Sequence, residues 1–336
     1  MKNKTKLLMT VPGIEKHRDI WLKLKKNYIS GTDAGVIMGV SPWNTPLRLY
    51  HEKLGHIPTP DISDEEVVHW GTVLEDVVAR EFMERTMVKV RRCGLLHDNL
   101  CKYRIANVDR LIIGHTAGLE CKTTNAFNAD EWEDYGVPLH YYYQCLHYML
   151  TLYADEDGNL LPEYEGAHWF IACLIGGQKY VYRNIPYDTE RAHTLAAAEK
   201  DFWKCLQEQT PPPVSDSPID EKTMGLLMDG SAPPKEMGPG VEVLVKQMEM
   251  KKNLVDGLKV EIQGLRNKLI EAMGPSEIAI GKQYKVTYKA RKPTETVSIT
   301  DLRKQKAIYE TVKNAGLIKT RPGTRSLIIK EAKNEG

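Results

Sequence analysis

Paired cysteines, long apolar runs and a strong net charge are all missing from this 336-residue chain. Six cysteines, at 93, 101, 121, 145, 173 and 205, include no C-x-x-C pair. That argues against a zinc ribbon or a thioredoxin-like site and fits reduced, mostly buried thiols in the cytoplasm. No stretch of about 18 apolar residues occurs, so no membrane span is expected. The basic opening Met1 to Thr10 lacks the apolar run of a signal peptide. Internal repeats and recognisable sequence-reading helices or zinc fingers are also absent. The formal charge of +1 excludes a uniformly basic DNA coat.

That average conceals an asymmetry. From Lys282 to Lys330 there are thirteen Lys/Arg against three Asp/Glu, so the rest of the chain carries a net −9. An acidic body with a basic tail suits an enzyme that holds cations in its site and grips phosphates nearby. Residues 1–208 read as one continuous αβ domain. A Pro/Gly-rich linker at 209–240 begins at Thr210-Pro211-Pro212-Pro213. The remainder, 241–336, reads as a helix followed by a basic αβ module. Within Val241 to Met273, Val241, Met248, Val255, Ile262 and Leu269 recur every seven residues, with Leu244, Lys251, Leu258, Leu265 and Ala272 at the second seam position. Two readings stand: an amphipathic helix packed on its own domain, or a contact with another copy or a partner. Gly274-Pro275 ends the helix, and alternating Tyr284, Val286 and Tyr288 predict a strand.

The chemistry-bearing segment runs from Trp70 to Met149. A helix is predicted over Ser63–Glu84 and a strand over Tyr103–Asn107. A hairpin of Leu111–Ile113 and Ala117–Thr123 turns at Gly114-His115, and a second helix covers His140–Tyr153. In Leu119-Glu120-Cys121-Lys122, strand alternation sends Leu119 and Cys121 to one face and Glu120 and Lys122 to the other. Asp109 stands at the hairpin entrance. Two carboxylates there can hold a hard divalent ion, with the Cys121 main-chain carbonyl as a third oxygen. Lys122 can orient or help deprotonate the attacking water in phosphodiester hydrolysis. Glu-x-Lys on an exposed strand is usually a solvated face, and Asp is common in turns; the strength lies in the combination. Glu75, four residues after Gly71 on a helix, adds a carboxylate; the plain alternative is a surface glutamate. Gln144, on an apolar and aromatic helix, needs a partner if buried, and an ordinary core amide would also satisfy that.

The order Gly71/Glu75, Asp109, Glu120/Lys122, Gln144 resembles that of the phage lambda exonuclease and YqaJ-like viral recombinase family, a branch of the PD-(D/E)XK nucleases. Ile29-Ser30-Gly31-Thr32-Asp33-Ala34 with Met38 to Trp43 is similar to its N-terminal signature, as are Trp132, Val137-Pro138 and Gln144 to Met149 to a later helix. Ile171 to Gly177 resembles its late core strand. The likeness covers roughly residues 14 to 205.

It implies an α/β fold: a PD-(D/E)XK, restriction-endonuclease-like core with a central mixed sheet flanked by helices, here with a helical, basic C-terminal extension. It implies Mg²⁺ as cofactor, with Mn²⁺ a possible substitute. Asp109, Glu120 and the Cys121 carbonyl would be metal ligands, Glu75 would bind a metal directly or through water, Lys122 would position water, and Gln144 would support Lys122 or the site. A basic residue and a hydroxyl of the signature would hold a 5′-phosphate at Lys25 and Thr32. Both depart from the usual Arg and Ser, and lysine keeps the charge without the bidentate fork. The commoner Pro-Asp-Gly is replaced by Asn107-Val108-Asp109-Arg110. Lys25 and Thr32 also admit a plain reading, as a helix-surface lysine and as a helix cap by Thr32 or Ser30. Lys23, Lys26 and the stretch Lys289 to Lys292 are further phosphate-contact candidates, and Trp43 could wedge or stack on an end base pair.

The implied activity is resection of linear double-stranded DNA from its ends, 5′→3′, leaving 3′ single strands for phage-type recombination in a bacterial host cell. Implied partners are DNA ends, further copies in a ring such as a trimer, and a single-strand annealing protein. The rivals are a structure-specific or RecB-like endonuclease, and a non-catalytic DNA-binding scaffold on the same fold. A Cas4-like enzyme would need an iron–sulfur cysteine set that the spacing does not offer.

Overall fold

The computed structural model describes residues 4–60, 62, 64–133, 136–228, 236 and 238–290, and the strand backbones at 294–296, 319–321 and 325–331. The chain divides into two compact units, Met1–Ala232 and Pro233–Gly336.

The first unit begins with strand β1 (Thr5–Met9) and helices α1 (Val11–Lys16), α2 (Arg18–Asn27), α3 (Gly31–Ile37), α4 (Pro46–Leu54) and α5 (Glu66–Thr86). Strands β2 (Val90–Arg91), β3 (Leu95–Asp98), β4 (Ile105–Asn107), β5 (Arg110–Ile112) and β6 (Ala117–Thr124) follow. Then come α6 (Leu139–Tyr153), β7 (His168–Ile175), β8 (Lys179–Pro186), α7 (Thr189–Glu208) and α8 (Pro218–Leu227). Several starts are set locally. Thr45 accepts from the Arg48 amide with Pro46 opening α4, and Asp188 accepts from the Arg191 amide at α7. Of the helix predicted from Ser63, Ser63 itself lies outside the described residues; α5 runs from Glu66.

Five strands form the main sheet in the order β2-β5-β6-β7-β8. All pairs are antiparallel except β6 with β7, so the sheet is mixed. A smaller sheet, β1-β3-β4, leads into it, because β4 ends at Asn107 and β5 starts at Arg110. Helices cover both faces of the main sheet. On one, Val78, Ala79 and Phe82 of α5 pack on Leu119 and Ala172. On the other, Cys145, Leu146 and Met149 of α6 join Trp169, Ile171 and Cys173. Burial on both faces explains why β7 reads as a near-continuous apolar run. This is the flanked mixed sheet that the sequence implied.

Two glycines of the N-terminal signature have a packing role. A Cβ on Gly31 would lie 2.4 Å from the Tyr148 ring, and one on Gly35 would lie 2.9 Å from the His140 Cα. Their bare faces let α3 close directly on α6. Gly35→Ala must push backbone away, and we expect a loss of about 1–3 kcal/mol in urea unfolding, as for overpacking elsewhere.

The stretch expected as a linker holds α8. Its Asp220, buried, accepts from the Thr45 hydroxyl, and from the Ser215 amide and hydroxyl at 2.7 Å. The second unit contains α9 (Pro239–Met273), the predicted long helix, then β9 (Ile278–Ile280), β10 (Tyr284–Ala290), β11 (Thr294–Thr296), β12 (Lys319–Arg321) and β13 (Arg325–Glu331). Strands β13-β10-β9 form one sheet and β11-β12 another. Among the described residues no helix is long and apolar enough to cross a membrane.

Candidate active site

Strand β6 places the two charged residues as alternation requires. Leu119 and Cys121 pack toward α5, while Glu120 and Lys122 turn toward α6. Glu120 is buried, 2% exposed. Its Oε1 receives the Gln144 amide at 2.6 Å and the Lys122 ammonium at 2.6 Å. Lys122 Nζ also donates to Gln144 Oε1 at 3.1 Å, and Gln144 Nε2 donates to the Tyr148 hydroxyl at 2.8 Å. Gln144 is thus a bridge between the strand's acid and its base.

Asp109 stands where the chain passes from the small sheet into the large one. Its Oδ2 accepts from the Cys121 amide at 2.7 Å. The N–H and C=O of one strand residue point to the same edge, so the Cys121 carbonyl faces Asp109's side of β6. Asp109, Glu120 and Lys122 therefore come together as the sequence suggested.

The electrostatics of the group are unbalanced in one direction. Burial, then the charges of Glu120 and Glu75, raise the Asp109 carboxyl well above the usual carboxylate range. Burial works against the Lys122 ammonium, but Glu120 and Asp109 outweigh it and hold its pKa above the ordinary value. Glu120 Oε2 is buried and has no hydrogen-bond partner among the described residues. A buried carboxylate oxygen left bare beside a second carboxylate under repulsion fits a bound cation, and the hard oxygen donors fit Mg²⁺.

Glu75 lies on α5, as the sequence reading placed it on a helix, and it has a cationic partner. Its carboxylate is held by the Arg110 guanidinium, which also grips Asp76 and donates to the Asp109 carbonyl at 2.6 Å. Among the described residues no three His, Cys, Asp or Glu side chains gather as a metal cage. Glu75 contributes its field to Asp109. Among the described residues a Cβ on Gly71 would meet Thr123 Oγ1 alone, at 3.9 Å, an ordinary contact, so packing against them does not require that glycine.

The remaining candidates lie around the α2–α3 junction and the rim. Lys25 Nζ sits 4.8 Å from the Trp21 ring centre. Its pKa is lowered by burial, with Lys53, Lys122 and Arg18 lowering it further and Asp33 opposing. Lys25 and Lys122 thus share one electrostatic field. Ser30, rather than Thr32, makes the cap of α3: its amide donates to Asp33 Oδ2 at 2.8 Å and its hydroxyl at 2.9 Å. Thr32 is exposed, with its hydroxyl 3.2 Å from that of Ser30. Trp43, 66% exposed, stands edge-on to His140 at 4.7 Å and 6.5 Å from Tyr141, whose ring lies 4.5 Å from Lys122 Nζ. Burial, and then Lys122, push the His140 imidazole down to about 4. Of Lys289 to Lys292, positions 291 and 292 lie outside the described residues, as does most of the basic tail.

Sequence reasoning missed Arg110 and Lys53. Lys53 pairs with Asp33 at 2.9 Å and donates to the carbonyls of Lys25 at 3.0 Å and Tyr28 at 2.6 Å, fastening the end of α2 to the start of α3. No local pattern marks a helix lysine as buried. Arg110, adjacent to Asp109, did offer a signal, since a lone arginine beside a carboxylate cluster invites a bidentate partner.

Asp109 supplies a test with a readout other than activity. Without metal, Asp109→Asn should raise the melting temperature by removing one of the repelling charges. Millimolar Mg²⁺ should raise that of the wild type and leave the variant unmoved, read by differential scanning fluorimetry. An equal Mg²⁺ response in both proteins would dismiss Asp109 as a ligand.

Comparison with known proteins gives the following. Residues 20–154 match the family described as YqaJ-like viral recombinase domain. The chain is 42% identical over 200 residues to the "Uncharacterized protein YqaJ" of Bacillus subtilis (strain 168), spanning 59% of this chain and 59% of that relative's length. Among solved structures, an alkaline exonuclease (LHK-Exo) from Laribacter hongkongensis is similar with a TM-score of 0.45 and 14% identity, over 57% of this chain and 93% of that one. A phage related exonuclease from Haemophilus somnus 129PT gives a TM-score of 0.39 and 11% identity, over 54% and 96%. The matched segment, residues 20–154, carries Lys25, Asp109, Glu120, Lys122 and Gln144, and it is similar to a YqaJ-like viral recombinase domain.

Proposed function

We propose that this protein is a Mg²⁺-dependent exodeoxyribonuclease that degrades linear double-stranded DNA from its ends, 5′→3′, leaving 3′ single strands for phage-type recombination. The observation that carries the proposal is the Glu120 carboxylate, whose Oε1 takes Lys122 and Gln144 while Oε2 is buried without a hydrogen-bond partner among the described residues, its charge acting on Asp109.

Asp109 and Glu120, with the Cys121 carbonyl, would hold the ion, and Glu75 would act through its field or through water. When bound, a divalent ion would supply Lewis acidity at the phosphate and at the attacking water. Lys122, held cationic by the two carboxylates, orients the attacking water and offsets charge growing on the phosphate. Gln144 fixes both partners so that the ammonium does not have to reorganise during the reaction. Lys25 and Thr32 would receive the terminal 5′-phosphate, and Trp43 would stack on the end base pair. The match of residues 20–154 to a family described as a viral recombinase domain supports the same reading. The resemblance extends it to a homo-oligomeric ring, and to an annealing protein that takes up the 3′ strand.

The test is digestion of end-labelled linear duplex, with and without a 5′-phosphate, in Mg²⁺ or EDTA, beside a covalently closed circle. The expected result is Mg²⁺-dependent release from 5′ ends, faster with the phosphate, and an intact circle. Cutting of the circle would replace the proposal with an endonuclease, and no digestion in any metal would leave a DNA-binding scaffold.

A further inference from the structure

The long helix of the second unit is built for a partner of a particular charge. α9 has 35 residues, about 52 Å at the helical rise. Its seam residues stand in water among the described residues: Leu244 is 64% exposed, Leu258 56% and Leu265 66%. Toward its C-terminal end the helix becomes packed, where Met273 is buried. Gly257 and Gly264 fall on the outer side, away from the seam, and lower the intrinsic stability of a helix that has little of its own packing.

The charges are sorted around that seam. On the heptad, Lys252, Lys259 and Arg266 form one flank, Lys268 sits on the other, and Lys251 stands in the seam itself; Glu261 is the single acid among the flanking positions. Glu242, Glu249, Asp256 and Glu271 occupy outer positions. Lys259 makes a surface pair with Asp256 at 2.8 Å, the kind of exposed contact that exchanges readily. Pairing with a second copy is disfavoured in both directions. Parallel strands would stack Lys251 on Lys251, with Glu261–Arg266 the one attractive flank pair. Antiparallel strands would face the Lys252–Lys259–Arg266 row with itself. A phosphate backbone would leave the apolar row unused.

We propose that α9 is one strand of a two-stranded coiled coil whose other strand is an amphipathic helix of a different protein, with Asp and Glu flanking its apolar seam. Such a helix buries the exposed row and places carboxylates against Lys251, Lys252, Lys259 and Arg266.

The experiment titrates the full chain against two fluorescein-labelled 35-residue helical peptides with the same Leu/Ile seam, one flanked by Glu and one by Lys. Fluorescence anisotropy should show the Glu peptide binding at least about tenfold more tightly, the sum of several exposed ion pairs, with the advantage shrinking at high salt. The variant carrying Lys252→Glu, Lys259→Glu and Arg266→Glu should prefer the Lys peptide. Leu258→Asp with Leu265→Asp, both at exposed positions, should bind neither while keeping its circular dichroism. Equal binding of the two peptides, or none, overturns the proposal. So does sedimentation showing self-association that Leu258→Asp abolishes, since a second copy would then occupy the seam. Loss of duplex-DNA retention by the triple variant without any peptide preference would reassign the basic row to phosphates.

Discussion

Lys122→Ala is expected to reduce Mg²⁺-dependent digestion of linear duplex by about a thousandfold, within the range found for positioned acid–base groups. The ammonium lies 2.6 Å from Glu120 Oε1 and 3.1 Å from Gln144 Oε1, so alanine removes the charge that the proposed chemistry places beside the phosphate. The loss should fall on kcat, because Lys122 acts on charge that develops during the reaction. Substrate affinity, read by duplex retention in Ca²⁺, should change little. Lys122→Ala leaves the buried Glu120 carboxylate with Gln144 as its remaining donor and no counter-charge, so the melting temperature should fall without metal and recover when millimolar Mg²⁺ supplies the missing positive charge. Full activity in Lys122→Ala would remove the base from the mechanism. A melting temperature that stayed low in Mg²⁺ would instead make Lys122 a structural partner of Glu120.

The second large effect lies away from the chemistry. Glu199 of α7 is fully buried and takes the Arg104 guanidinium at 2.7 Å and His147 Nδ1 at 2.6 Å. Arg104 reaches on toward the carbonyls of Asp155 and Glu156, and His147 Nε2 lies 2.9 Å from the Ile105 carbonyl. These contacts join the start of β4, the middle of α6 and α7. The first of these leads to Asp109 and the second carries Gln144. Glu199→Gln leaves Arg104 buried without its counter-charge and should cost about 3–5 kcal/mol. For a unit of this size that is a fall of about 6–20 °C in melting temperature.

The same substitution has a pH signature. Burial alone would raise the Glu199 carboxyl, but His147 and Arg104 hold it below the usual range. A depressed folded-state value means stability that is present above the unfolded carboxylate pKa and lost as pH falls through the folded one. The gap between wild type and Glu199→Gln should therefore be widest near neutrality and narrow in acid, measured by urea unfolding. A gap that did not change with pH would mean that shape, not charge, holds the three elements.

Most of what the candidate site needs was legible along the chain. Strand alternation alone put Glu120 and Lys122 on one face, and the hairpin turn brought Asp109 beside them, because these depend on neighbours within a dozen residues. The helix bearing Gln144 was visible from its apolar pattern, and its amide found its partners 22 and 24 residues away. The long seam of α9 and the strand at Tyr284 followed the same local logic.

What depends on desolvation was not legible. Nothing near Glu75 in sequence announces that Arg110, 35 residues on, takes its carboxylate, so a residue read as a ligand is found paired with a guanidinium. Arg104 and Glu199 lie 95 residues apart, and only packing that excludes water from both makes their pairing obligatory. Period and turn chemistry are properties of the covalent chain and its nearest neighbours, so the sequence by itself determined which residues could face one another across the β5–β6 hairpin. Which charges are stripped of water, and by whom they are then answered, was decided when the helices closed on the sheet.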